Sequence, residues 1–203
     1  FLGRDSDTDV DYITDDRIYI APAVEWKPDE DTSLTVLGFY QKSSTRFPAA
    51  LPYEIVEGIG NGPFILGRDT FIGEPDYDRM KSEMGAVGYE FTHRFDNDVQ
   101  FSAKSRYYES DLDWRYMMAQ TSAAAVNQVA QTGILARQYS DRHDRAKGLT
   151  HDMNVAFDVE TGPLSHSLLV GYDFYDTTYD SDNFRAVAPS IDLNNPVYGA
   201  NFT

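Results

Sequence analysis

What most constrains this chain is an alternation: apolar residues recur at every second position, in segments that come in pairs. The stretch FTHRFDNDVQFSAKSRYYESD shows it best. Val99, Phe101, Ala103 and Tyr107 share one parity, and Gln100, Ser102, Lys104 and Arg106 take the other, as in a β-strand with one apolar face. Six such segments are expected, forming three hairpins. Residues 17–26 place Ile18, Ile20, Val24 and Trp26 together, and residues 33–43 return after KPDEDT. Residues 84–95 gather Val87, Tyr89, Phe91 and Phe95, and residues 99–108 answer them across FDND. Residues 149–159 set Met153, Val155, Phe157 and Val159 on one side. After ETGP, the run from Ser165 does the same with Leu168, Val170, Tyr172 and Phe174.

Connections within each pair are short and rich in Asp, Gly, Pro and Asn, as hairpin turns require. Those between pairs are long: residues 45–81 form a Gly/Pro-rich loop, and residues 117–137 form an Ala/Gln/Thr stretch with room for a short helix. Compact soluble domains favour connections of about 4–6 residues, whereas transmembrane barrels alternate short turns at one rim with long loops at the other. The polar parity carries Glu90, Arg94, Lys104, Arg106, Asp152, Asn154, Asp158 and Asp173, which suits a wet lumen. The apolar parity then faces lipid. Trp26 and Phe95 beside the short turns, with Tyr40, Tyr107, Tyr108 and Tyr175 toward the long loops, are placed as interfacial girdles. Pattern alone leaves a second solution open, a half-exposed sheet in a soluble binding or adhesion module.

Composition excludes other classes. The formal charge is −16 with an isoelectric point near 4.4, which opposes nucleic-acid binding, because phosphate recognition needs a basic footprint. There is no cysteine, hence no disulfide framework or thiolate metal site. The start FLGRDSD has neither a methionine nor a signal-peptide pattern, as expected of a mature or partial chain. No run approaches the roughly 18 apolar residues of a membrane-spanning helix, a test that alternating strands escape.

Several segments together resemble one family. DDRIYIAPAVEWKPDEDTSLTVLGFYQ, FIGEPDYDR, VGYEFTHRFDNDVQFSAKSRYYESDLDWR, SLLVGYDFYDTTYDS and APSIDLNNPVYG look like consecutive parts of the barrel domain of TonB-dependent siderophore receptors, in particular the ferrichrome-type, hydroxamate-recognising branch. FIGEPDYDR and IDLNNPVYG carry most weight, being irregular segments that alternation would not produce. The resemblance implies an outer-membrane, antiparallel up-and-down β-barrel of about 22 strands around an N-terminal plug. It also implies import of ferric siderophores with energy delivered through TonB. On this expectation residues 1–203 are a partial barrel domain of about six strands, without the plug and the TonB-contacting segment. A six-strand arc leaves unpaired backbone groups in lipid and should not transport by itself.

The resemblance also implies a ligand pocket lined by aromatics near the extracellular rim, and the matching zones hold Phe47, Trp114 and Tyr116. Ala49 and Ala50 stand before Leu51 and Pro52 where aromatics are expected, so the identity of the siderophore stays open. Other constellations are weak. Asp5, Asp7, Asp9, Asp11 and Asp16 partly imitate a calcium loop but have Val10 where its glycine belongs, and read as a solvated acidic edge. His93, His143, His151 and His166 are scattered without metal-ligand spacing, and no nucleophile elbow or phosphate loop occurs. Asp111 and Asp113 could pair as in a glycosidase, but an acidic chain places carboxylates so by chance. The chain is therefore expected not to be an enzyme and to hold no resident metal or cofactor, the ferric siderophore being cargo. Asn201-Phe202-Thr203 matches a glycosylation sequon by accident.

Overall fold

A computed structural model describes residues 1–49, 51, 67 and 69–199. The elements run β1 (Leu2–Arg4), β2 (Asp15–Ile20), β3 (Ala23–Trp26), β4 (Thr32–Thr45), β5 (Arg79–Arg94), β6 (Gln100–Ala119), α1 (Ala123–Thr132), β7 (Ile134–Thr161) and β8 (Leu164–Asp192). All strands join one antiparallel sheet in the order β1-β2-β4-β5-β6-β7-β8, with β3 also on β4. The three expected hairpins are present in the expected sequence. Ala50, Pro52 and the sequon lie outside the described residues.

The strand count and lengths differ from the expectation. The segment expected as one strand over residues 17–26 is two, β2 and β3, interrupted at Ala21-Pro22. Proline has no N–H for the ladder, and only its carbonyl is used, accepting from Gly38 N at 3.1 Å. β1 adds a short edge beside β2. The later strands are longer than alternation suggested: β6 has 20 residues, β7 has 28 and β8 has 29. At about 3.3 Å per residue β7 is roughly 90 Å long, whereas crossing a bilayer takes about 9–11 tilted residues. Most of β7 and β8 therefore rises beyond the membrane.

The register shows where. Directly opposed residues share a face, so Leu34, Phe91, Ala103, Met153 and Tyr172 form one cross-strand row, and Val36, Tyr89, Ser105, His151 and Phe174 the next. Two rows farther from the short turns the same face becomes Tyr40, Gly85, Glu109, Lys147 and Thr178, and then Lys42, Glu83, Asp111, Arg145 and Asp180. The change from apolar to charged marks the upper limit of the lipid-facing band. On the other face Thr35, Glu90, Lys104, Asp152 and Asp173 align, and Lys104 pairs with Glu90 at 3.7 Å. Trp26 and Phe95 sit on the apolar face beside the short turns, as expected. Tyr108 and Tyr175 do not belong to a girdle: their register partners Gly148 and Thr150 put them on the lumen face, since neighbours 107 and 108 cannot share a side.

Turn chemistry fixes the near end. In FDND, Asp98 takes a positive φ of 61°, and Phe95 N donates to Val99 O while Asp98 N donates to Phe95 O. Gly162-Pro163 forms the two-residue turn of β7 and β8, with Gly162 at φ 64°, where a glycine in the first central position suits a tight hairpin.

Nearly all burial lies at the far end. Ile72, Ala119, Val129, Leu135, Ile191 and Leu193 form a cluster, with Ala49, Leu51, Ala130 and Tyr198 packed on it. α1 contributes Ala125 and Val129, one turn apart. It starts at Ser122, whose Oγ accepts from Ala125 N at 3.3 Å, and stops at Gly133 with φ 73°. A Cβ there would lie 2.2 Å from Asn194 Nδ2.

Candidate functional site at the distal end of the sheet

The two irregular motifs of the sequence meet in this distal knot. In FIGEPDYDR, Phe71 and Ile72 are fully buried, and Glu74 and Asp78 are 2% exposed. Arg137, from the start of β7, is 1% exposed and organises both motifs. It pairs with Glu74 at 2.6 Å, gives Nη1 to the carbonyls of Ile72 and Gly73, and gives Nε to Pro189 O at 2.8 Å. Glu74 Oε2 accepts from Gly199 N at 2.7 Å, and Tyr198 donates its hydroxyl to Phe71 O at 2.9 Å. A buried charge is tolerable only when paired and hydrogen-bonded in this manner.

Asp78 closes the knot by accepting from Glu74 N and Met117 N. Burial pushes its carboxyl up to about 7, against those two hydrogen bonds and the attraction of Arg137. Arg46, at the end of β4, donates to the carbonyls of Tyr12, Pro75 and Asp78. The backbone on which Phe47 stands is thereby fixed.

Phe47, Trp114 and Tyr116 are brought together. Trp114 and Tyr116, two apart on β6, stack with centroids 4.5 Å apart and planes 27° from parallel. Phe47 meets both edge-on, at 5.5 Å and 5.1 Å. Register places Trp114 on the face of Lys104 and Arg106, which is the lumen face of the sheet. Arg142, the cross-strand partner of Trp114, holds its guanidinium 6.0 Å from the indole centroid. Asp144 and Tyr179 stand beside it on the same face. Sequence reasoning missed Arg142, Asp144, Tyr179 and the Arg137 knot, because the register that assembles them extends past the region of clean alternation. Nearer the short turns an open hollow of about 630 Å³ lies over Tyr19, Phe39, Lys104, Arg106, Asp152 and Tyr175.

The two carboxylates spaced like a catalytic pair, Asp111 and Asp113, are both held in ion pairs. Asp111 is bound by His143 Nε2 at 3.0 Å and Arg145 at 3.3 Å, and the hydrogen bond from His143 holds its carboxyl below the usual range. Asp113 pairs with Arg79 at 2.7 Å and Arg115 at 3.9 Å. An acid catalyst needs a raised value, and the Asp111 carboxyl is shifted the other way. In the acidic N-terminal run, Asp15 pairs with Arg4 at 2.9 Å. Among the described residues, no three His, Asp or Glu side chains converge on a metal position.

An antiparallel sheet with an apolar band, a charged opposite face, short turns at one end and long extensions at the other is a segment of a transmembrane β-barrel. The comparisons give its family: residues 25–203 match the TonB dependent receptor-like, beta-barrel family, and the chain belongs to it. Among curated relatives, the ferrioxamine B receptor of Salmonella typhimurium is 29% identical over 98% of this chain and 27% of that receptor. The ferrioxamine receptor of Yersinia enterocolitica is 30% identical over 85% of this chain and 23% of its own length. The ferrichrome outer membrane transporter/phage receptor of Escherichia coli K12 is 28% identical over 89% and 26%. The chain thus spans about a quarter of the length of these relatives. Of solved structures, the closed form of the ferric-catecholate import receptor Fiu from Escherichia coli K12 superposes with a TM-score of 0.81 at 16% identity, over 98% of this chain and 30% of that one. Family membership displaces the soluble sheet as the explanation of the apolar face.

Proposed function

We propose that this chain is part of the barrel of an outer-membrane receptor that binds ferric siderophores of the hydroxamate type and imports them. The remaining strands, a plug and the TonB contact would come from elsewhere in the complete protein. On this proposal it is a transporter and not an enzyme, it is embedded in outer-membrane lipid, and iron is cargo. The observation that carries the proposal is the Phe47, Trp114 and Tyr116 cluster, an aromatic stack on the lumen side of a receptor-family sheet in which Phe47 and Trp114 are half-buried and Tyr116 is buried.

Charge supports the hydroxamate class. Each hydroxamate loses one proton on binding iron, so a ferric complex with a full set is neutral. Catecholates lose two protons each and leave a strongly anionic complex. The chain carries −16, and Asp152 faces Asp173 across the lumen side of β7 and β8. An acidic lumen repels a polyanion and tolerates a neutral chelate. The relatives named for ferrioxamine and ferrichrome agree with this choice.

The test is uptake of radioactive iron(III) as a trihydroxamate complex by cells whose sole siderophore receptor is the complete protein. TonB-dependent uptake is expected, reduced about tenfold or more by Trp114→Ala. Uptake of a tricatecholate instead would overturn the hydroxamate assignment, and uptake of neither would overturn the proposal.

A further inference from the structure

Two N–H donors in the distal cluster have no acceptor. Trp114 Nε1 and Arg142 Nε are both sealed from solvent, and neither finds a hydrogen-bond partner. Indole and guanidinium are donors only, so nothing but an oxygen or another acceptor can satisfy them. Buried polar groups in native proteins are almost always paired, and each exception calls for an explanation; among the described residues Arg79 Nε and Asp16 Oδ1 are others. Here two exceptions fall on cross-strand neighbours.

Arg142 is not loose. Its Nη2 is 2.6 Å from Asp144 Oδ2 and donates to the Tyr179 hydroxyl at 3.0 Å. Asp144 is itself held, accepting from Ser181 Oγ at 2.5 Å. The carboxylate neutralises the guanidinium and fixes its plane, so what Arg142 has left to offer is direction rather than net charge. Its side chain remains 30% exposed while Nε is covered. The result is a layered arrangement in which Arg142 lies over Trp114, Trp114 lies on Tyr116, and Phe47 closes the side.

We propose that Arg142 is a fourth ligand contact beside this aromatic cluster, its Nε–H and the Trp114 Nε1–H together binding acceptor oxygens on the rim of an iron chelate. This rests on the proposed siderophore function and adds its polar half. The rings receive the apolar flank of the ligand, and the two donors orient it. A charge-balanced Arg–Asp pair suits a neutral, oxygen-rich ligand, because nothing anionic is needed to satisfy it.

Equilibrium binding of a radiolabelled iron(III) trihydroxamate to the complete receptor in detergent micelles tests this. Arg142→Gln is expected to raise Kd about tenfold or more, as loss of a charge-assisted hydrogen bond would. Trp114→Phe, which keeps an aromatic ring, smaller than the indole, and removes the N–H, should also weaken binding, and the double variant should lose less than the product of the two. Arg142→Lys keeps the charge without the Nε donor and should bind as poorly as Arg142→Gln. Arg145→Gln, on the opposite face and paired to Asp111, is the control and should leave Kd unchanged. Tight binding by the wild type with Kd unmoved by Arg142→Gln, or restored by Arg142→Lys, overturns the role of Arg142 and leaves the proposed function standing. No binding of the chelate by the wild type overturns both.

Discussion

Leu149 and Leu135 belong to the same strand, yet Leu149 is 39% exposed and Leu135 is 1% exposed. The difference is one of solvent. Near the short turns β7 lies in a band whose outer face is apolar for lipid and whose inner face is polar for a lumen, so neither side offers a protein core. At the far end the same strand leaves the bilayer, and its apolar residues must be buried by protein. FIGEPDYDR, α1 and APSIDLNNPVYG supply that cover, with Arg137 satisfying the backbone groups that irregular segments leave open. One strand therefore carries two folding logics, and they should fail differently.

The largest effect is expected in the knot. Arg137→Met in the complete receptor leaves Glu74 buried without its partner, which costs about 3–5 kcal/mol. Hydrogen exchange should accelerate at Ile72, Met117 and Leu135 while the amides of Leu149 to Val159 keep their protection. Adding Glu74→Leu should recover much of the loss, since an apolar pair of similar volume is tolerated where a broken ion pair is not. Simultaneous loss of protection along all of β7 would refute the division into two regions.

Next comes the lipid face. Phe101→Arg or Val155→Arg should cost about 2–4 kcal/mol near the bilayer midplane, measured as folding stability in lipid vesicles. Ser102→Arg or Asn154→Arg, on the lumen parity, should be mild. Equal sensitivity of both parities would remove the assignment of faces on which the comparison rests.

The pH response sharpens the contrast further. The Asp78 carboxyl is raised to about 7 by burial, well above its value in an unfolded chain. Between those values the folded knot holds a proton that the unfolded chain does not, so its stability is greatest at low pH and is lost as pH rises through about 7. The slope contributed by one such group is at most about 1.4 kcal/mol per pH unit. Exchange at Met117, corrected for its intrinsic rate, should speed up from pH 6 to 8 in the wild type and lose that dependence in Asp78→Asn.

These two regions were unequally legible in the sequence. Period-two alternation is a local signal, so the register of Phe91 with Ala103 and the turn at Asp98 could be read from neighbouring residues. Upper β7 alternates poorly, because its faces meet loops rather than one uniform solvent. Arg137 and Glu74 are 63 residues apart, and nothing in either segment announces the other. Phe47, Trp114 and Tyr116 came from family resemblance, and the contact among them depends on β5 being interposed, which pairs Thr45 with Met80 and Met80 with Trp114. Arg142 could have been found only by carrying that register one strand further. Phe39, beneath Arg106 at 5.6 Å, marks the same limit on the lumen face.

The smallest effect tests whether the knot is one cooperative unit. Ser122 caps α1 through a single hydrogen bond to Ala125 N, and Ser122→Ala should cost about 1 kcal/mol. The side chain touches neither the ion pair nor the barrel band, so the loss is local in origin. α1, however, buries Val129 completely in the cluster shared with Ile72 and Ile191. If the knot opens as a unit, the same small increment should appear in the exchange of Met117, Leu135 and Leu193 as well as in α1, because all of them wait on one opening event. Confinement to the amides of 123–129 would mean that the helix frays independently, and that Arg137 holds the loops together without help from the hydrophobic cluster. The amides of the lipid-facing band should not register the substitution in either case, since their protection depends on strand pairing within the bilayer.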